Sequence, residues 1–202
     1  MAYRLLALVS AGILLFTCSV LWMLRLKPRV AKGGGSLLGA VSIAASYPLV
    51  IWLGATARET YLHVYAIMRC APLAYAAASG RGARGIGAVW EAGSMLLGFL
   101  LGMSALTAVA VGLPDWEATW SFILWNTFLL IPAEELYFRG LTQTVLTQYT
   151  GGLLGNLAQA LMFAGAFYAM GYTAIRSLYV LVAGVIEGEL YRRTGSVVST
   201  YV

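Results

Sequence analysis

Two adjacent glutamates and an arginine stand at the end of a long apolar run in the second half of the chain. They are Glu134, Glu135 and Arg139. On a helix, Glu135 and Arg139 lie four residues apart with the acid first, the favourable order for an ion pair on one face. Glu134 lies about 100° further round the helix and has no partner at that spacing within its segment. These residues predict acid–base chemistry, with Glu134 as a general base that activates water and the Glu135–Arg139 pair as its electrostatic frame.

The composition predicts an integral membrane protein. The chain is 60% hydrophobic and only 10% charged, with a mean hydropathy of +0.80, whereas a soluble domain carries about 25% charged residues. A charge near the bilayer centre costs roughly 2.5 to 3.5 kcal/mol, so the three charged side chains need a partner, a wet cavity or a function. The net charge is +5, but the basic residues lie between apolar runs and form no stripe. Nucleic-acid binding is therefore not expected.

The apolar runs predict an all-α, polytopic transmembrane helical bundle of about seven spans in a single domain, residues 1–202. The predicted spans are residues 3–26, 36–57, 61–79, 86–113, 119–138, 157–172 and 177–191. Residues 1–116 would hold the N-terminal spans and residues 117–202 a C-terminal core. The more polar segment between residues 140 and 156 is expected to lie along the membrane surface or to re-enter it part-way.

The distribution of basic residues predicts the orientation of the bundle. When the spans alternate, most of the 13 lysines and arginines fall on one side of the membrane. The positive-inside rule then places the N-terminus outside and the glutamate motif near the cytoplasmic face. We expect a bacterial or archaeal inner or plasma membrane.

Glu134-Glu135-x-x-x-Arg139, followed by Phe163 and later by Thr194-Gly195-Ser196, resembles the Abi or CPBP family of CAAX prenyl proteases and bacteriocin-processing membrane proteins. The resemblance covers about residues 117–202. It implies an intramembrane glutamic endopeptidase, in which Glu134 would activate water with Glu135 and Arg139 as its partners. Histidines from two further motifs would assist, and a late asparagine would help to stabilise the oxyanion.

The chain departs from the family pattern in both later motifs. The second motif reads Phe-x-x-x-His, but Phe167 stands four residues after Phe163, and a phenyl ring can neither take a proton nor donate a hydrogen bond. The histidine and asparagine of the third motif would fall about ten residues after Ser196, past Val202. Losing part of a catalytic unit usually costs orders of magnitude in rate.

We therefore predict a degenerate, catalytically inactive family member that serves as an accessory or scaffold subunit of a larger membrane complex. Its partners would be other integral membrane subunits and membrane lipid, and no cofactor or metal is expected. The alternatives are a truncated product, an active CAAX-type endopeptidase that uses Glu134, and a small-molecule transporter or immunity factor. Transport is disfavoured because no pair of matched broken helices is evident.

Structural interpretations of the polar residues compete with the functional ones. The glutamate–arginine motif could be a charge cluster that anchors a helix end at the interface. Arg69 is interpreted as a structural ion-pair partner or a lipid or cofactor contact, and Glu187 and Glu189 as solvated, with Glu189 paired to Arg193. His63, the single histidine, is interpreted as an interfacial residue. If a partner complex supplied a cofactor such as haem or chlorophyll, His63 would be the first axial ligand to test.

Overall fold

The computed structural model describes residues 14, 17–26, 28–30, 35–56, 61–80, 82–88, 93, 95–96 and 126–200. Within these ranges the secondary structure is helical and no strand occurs. The α-helices are α1 (Leu37–Thr56), α2 (Tyr61–Ala78), α3 (Ile131–Glu135), α4 (Thr144–Thr150), α5 (Gly152–Ala169) and α6 (Ala174–Thr194). Two segments are π-helical, Asn126–Leu130 and Leu136–Gln143, and two short turns are 3₁₀-helical, Ala83–Ile86 and Val197–Thr200. The all-α prediction is confirmed for these residues.

Two of the helices, α1 and α5, are long and apolar enough to cross a membrane. Helix α1 coincides with the predicted span at residues 36–57, and α5 begins five residues before the predicted span at 157–172. Most of the predicted span at residues 86–113 and most of the first span lie outside the described residues. The count of seven spans therefore stays a prediction, as does the orientation of the N-terminus.

The π-helical segment Leu136–Gln143 lies at the centre of the described bundle. Its residues Tyr137, Phe138 and Leu141 are fully buried, in one apolar core with side chains of α1, α2 and α5. The Tyr137 hydroxyl is 2.8 Å from the Ser46 hydroxyl of α1. Because a polar atom without a partner is costly in apolar surroundings, this bond ties the central segment to α1 at one register.

Part of the polar segment between residues 140 and 156 is buried inside the described bundle, and its placement relative to the membrane stays a prediction. Thr144, Val145 and Thr147 of α4 are buried. The Thr144 hydroxyl is 2.7 Å from the hydroxyl of Tyr191 on α6. The polar side chains of this buried part provide hydrogen-bonding groups between helices.

The C-terminal end of α6 docks against the N-terminal part of the chain. Gly195 adopts the left-handed conformation (φ 67°) that glycine tolerates best, and its N–H donates to the Tyr191 carbonyl at 2.7 Å. Beside it, the Arg193 guanidinium donates to the carbonyls of Leu24 and Leu26 at 2.7 and 2.6 Å. In return, Arg29 donates to the Thr194 carbonyl at 3.2 Å. Residues 17–25 are also helical. Arginine side chains thus satisfy carbonyls at the ends of this helix and of α6 that would otherwise lack donors.

Candidate functional site

The glutamate motif straddles a change of helix type. Glu134 and Glu135 end the short helix α3, whereas Arg139 lies in the π-helical segment that follows. Pro132 stands near the start of α3, where its missing N–H interrupts the regular α-helical hydrogen bonds. Short π-helical segments within helices are rare and are frequent at functional sites.

Glu134 is buried and takes its hydrogen bond from another helix. The Tyr65 hydroxyl of α2 donates to Oε1 of Glu134 at 3.0 Å. Only 9% of Glu134 is exposed. The sequence offered no partner for this carboxylate within its own segment, and the structure places one 69 residues away in the chain.

The predicted ion pair between Glu135 and Arg139 is confirmed. Nη1 of Arg139 lies 3.0 Å from Oε1 of Glu135. Arg139 has no exposed surface, and its guanidinium carbon lies 4.3 Å above the centroid of the Phe163 ring. A cation over an aromatic face gains most where water is excluded, as it is here.

Glu187 of α6 completes this cluster, and its predicted solvated placement is wrong. It forms an ion pair with Nη2 of Arg139, with one third (33%) of its side chain exposed. Its neighbour Glu189 does pair with Arg193, as predicted, and also with Arg192 at 2.6 Å. Glu187 and Glu189 are two residues apart, so they project in different directions from α6. The glutamate–arginine cluster therefore consists of Glu134, Glu135, Arg139 and Glu187.

Phe167 extends an aromatic row away from the cluster. Its ring makes edge-to-face contacts with Phe163 and Tyr172, at centroid distances of 5.0 and 4.9 Å. Phe163 also packs against Phe138, at 4.8 Å. The position four residues after Phe163 is thus filled by an apolar ring that takes part in packing.

Residues 116–202 match the family model described as "Type II CAAX prenyl endopeptidase Rce1-like". We call residues 116–202 the Rce1-like segment, after the family model that it matches. The predicted resemblance to CAAX prenyl proteases of the CPBP type is thereby confirmed for the C-terminal part of the chain. No curated protein and no solved structure matches the chain. The match to this family and the two long apolar helices both support an integral membrane protein.

The Rce1-like segment contains the whole glutamate–arginine cluster and the aromatic row. It does not contain Tyr65, the residue that binds Glu134. Helix α2 therefore contributes to the site from outside the segment that the family model matches.

Amide side chains of the π-helical segment and of α5 donate to backbone carbonyls of α6 beside the cluster. Gln143 donates to the Gly188 carbonyl at 2.6 Å, Gln159 to the Gly184 carbonyl at 2.8 Å, and Asn156 to the Val185 carbonyl at 3.0 Å. Each of these amides crosses from one helix to another. The two glycines of α6 let α5 approach closely, as small residues do in membrane helix pairs.

Among the described residues, no group of three or more His, Cys, Asp or Glu side chains is arranged to hold a metal ion. His63 lies on α2, two residues before Tyr65, and is exposed. Its suggested role as an axial ligand stays a prediction. Arg69 does not make the predicted ion pair within the described part of the chain; its guanidinium donates to the backbone carbonyls of Phe128 and Leu129.

The chemistry that the cluster can support follows from the ion pairs and hydrogen bonds that each carboxylate makes. Glu135 and Glu187 are both engaged with the Arg139 guanidinium. Glu134 stays outside these ion pairs and is bound by one neutral hydroxyl. It is therefore the carboxylate in the cluster best placed to accept a proton from a water molecule.

Sequence reasoning missed two residues of the site, Tyr65 and Glu187. A signal was present for Tyr65. It lies one turn before Arg69, a charged residue in an apolar segment, and shares its face of α2. The local pattern gave Glu189 a partner, Arg193, four residues later, but it offered no cation at that spacing for Glu187.

Proposed function

We propose that this integral membrane protein is a non-catalytic member of the CPBP type, in which the glutamate–arginine cluster stabilises the bundle. It would serve as an accessory or scaffold subunit of a larger membrane complex. The observation that supports this most directly is Phe167, which stands at the histidine position of the second family motif and packs between Phe163 and Tyr172. A phenyl ring there cannot assist a hydrolytic step.

The contacts of Arg139 support the same proposal. Its guanidinium is bound by Glu135 and Glu187 and covered on one face by the Phe163 ring. A fully buried arginine held in this way fixes the relation of α3, α5 and α6. Removing one partner from such a pair costs about 3 to 5 kcal/mol, so the cluster has a structural reason to be present without any catalysis.

The subunit role is consistent with the outer face of α6. Several large apolar side chains on this helix are exposed in the isolated chain: Ile175, Leu178, Tyr179 and Val182. In a membrane such side chains contact lipid or another apolar helix. Integral membrane subunits and lipid are the partners whose chemistry fits this face.

A second candidate function is an intramembrane CAAX-type endopeptidase that uses Glu134 to activate water. It is favoured by one feature of the cluster, because Glu134 is the carboxylate that stays outside the ion pairs with Arg139. The two functions make opposite predictions for cleavage, so one assay separates them.

The assay uses the full chain, purified in a mild detergent and reconstituted into liposomes, with a prenylated CAAX peptide as substrate. We expect wild-type protein and the variant Glu134→Gln to show the same background cleavage. Cleavage by the wild type that is abolished in E134Q would establish the endopeptidase and overturn the proposal. Phe128→Leu is the matched control. It shows whether purification and reconstitution of a variant alter the background cleavage, since Phe128 is 66% exposed and lies outside the cluster.

The subunit role is tested separately by native mass measurement of the protein extracted gently from its own membrane. We expect a complex in which the 21.6 kDa chain is present with other integral membrane proteins at fixed stoichiometry. A free monomer under these conditions would contradict the subunit role, whatever the cleavage assay shows.

A further inference from the structure

Two side chains of α2 hold the helix that presents Glu134. Tyr65 donates to the Glu134 carboxylate at 3.0 Å. One turn further along, Arg69 donates from Nη2 to the carbonyls of Phe128 and Leu129, at 2.8 and 2.9 Å. Because the two residues are four positions apart, they project from the same face of α2.

The position of Pro132 explains why the Phe128 carbonyl needs a donor. Helix α3 begins at Ile131, directly after the π-helical residues 126–130. At the α-helical spacing of α3, the N–H of residue 132 would donate to the carbonyl of Phe128, four residues earlier. Proline has no N–H, and its ring also crowds that carbonyl. A backbone carbonyl without a donor is costly inside a membrane, where no water is available to replace it.

We infer that Arg69 is a positioning residue for Glu134. Its guanidinium supplies the donor that Pro132 lacks, and this contact fixes the turn of helix that brings Glu134, two residues later, to the Tyr65 hydroxyl. Helix α2, outside the Rce1-like segment, thus sets the orientation of the first glutamate of the motif at two points. The inference goes beyond the proposed function and holds whether or not Glu134 takes part in catalysis.

The test is a double-mutant comparison of Arg69 with Pro132 in the full chain. Arg69→Met removes the donor but keeps the length of the side chain, and Pro132→Ala restores an N–H that can bind the Phe128 carbonyl within the helix. We expect R69M to lower the melting temperature in detergent. The loss should be clearly smaller in the P132A background, because the two sites are coupled through one carbonyl.

Two further variants make the result specific. Arg69→Lys keeps a cationic donor and should retain most of the wild-type melting temperature. Pro48→Ala is the matched proline control, since Pro48 lies inside α1, away from Arg69 in the chain. An equal loss for R69M with and without P132A would overturn the inference. So would a rescue by P48A as large as that by P132A, or a failure of the R69M/P132A variant to fold.

The position of Glu134 is measured independently by isotope-edited infrared spectroscopy of its carboxyl group, with the band assigned by E134Q. We expect Tyr65→Phe to shift this band because it removes the hydrogen bond directly. R69M should shift the band in the same direction, and the R69M/P132A variant should return it toward the wild-type frequency. A Glu134 band that does not respond to R69M would show that Arg69 stabilises the fold without positioning Glu134, and would overturn the inference.

Discussion

Arg139 lies with its guanidinium carbon 4.3 Å above the centroid of the Phe163 ring. The motif arginine and the motif phenylalanine, 24 residues apart in the chain, are therefore direct neighbours in the fold. This contact joins the π-helical segment to α5 and leaves the ion pairs with Glu135 and Glu187 on the other sides of the guanidinium.

Replacing Phe163 by leucine should remove the cation–π contact while keeping an apolar side chain at the site. We expect Phe163→Leu to lower the free energy of unfolding by about 2 kcal/mol, because the contact is desolvated. Denaturant unfolding in detergent micelles, followed by tryptophan fluorescence, measures the change. Phe128→Leu is the control and should cost less than about 0.5 kcal/mol, since Phe128 is exposed. Equal losses for both variants would contradict a special role of the ring beneath Arg139.

Removing Arg139 should cost far more than neutralising Glu187. The variant Arg139→Met leaves two carboxylates, the buried Glu135 and the partly buried Glu187, without their cation, and we expect a loss of about 3 to 5 kcal/mol. Glu187→Gln keeps an oxygen that can accept from Arg139, so its loss should stay below about 2 kcal/mol. Unfolding free energies of the two variants give the comparison. A loss for E187Q as large as that for R139M would show that the charge of Glu187, and not its hydrogen bond, stabilises the cluster.

Gly188 should not tolerate a methyl group. A Cβ at this position would collide with the side-chain amides of Asn156 and Gln159 on α5. We expect Gly188→Ala to lower the free energy of unfolding by about 1 to 3 kcal/mol, the usual cost of overpacking. Gly93→Ala is the matched control, because no atom of the described residues lies within 4 Å of the place its methyl group would take, and alanine favours a helix by roughly 0.5 to 1 kcal/mol. The same measurement should therefore give opposite signs for the two substitutions.

The bond between Ser46 and Tyr137 predicts an asymmetry between its two partners. Ser46 also donates to the Ser42 carbonyl at 2.6 Å, so the Tyr137 hydroxyl is the donor toward Ser46. Tyr137→Phe leaves Ser46 satisfied and should cost about 1 kcal/mol. Ser46→Ala leaves the buried Tyr137 hydroxyl without an acceptor and should cost about 1 to 3 kcal/mol. Thermal unfolding of both single variants and the double variant tests the order; the double variant should lose less than the sum of the single variants.

The contacts that the sequence predicted correctly are local ones. The Glu135–Arg139 and Glu189–Arg193 pairs follow from four-residue spacing on a helix, which needs no knowledge of the rest of the fold. The apolar run at α1 was recognised for a similar reason, because length and hydropathy are properties of the segment alone. The Rce1-like character of residues 116–202 was also visible, since it depends on residue types at fixed distances along the chain.

The contacts of the individual carboxylates were decided by the tertiary structure. Glu134 meets Tyr65 and Glu187 meets Arg139 across 69 and 48 residues of chain. Such contacts depend on how far each helix is rotated and shifted against its neighbours, and the spacing within one helix does not encode this. Arg69 shows the same limit, because only the packing of α2 against residues 128–129 turns a charged residue in an apolar segment into a donor for backbone carbonyls.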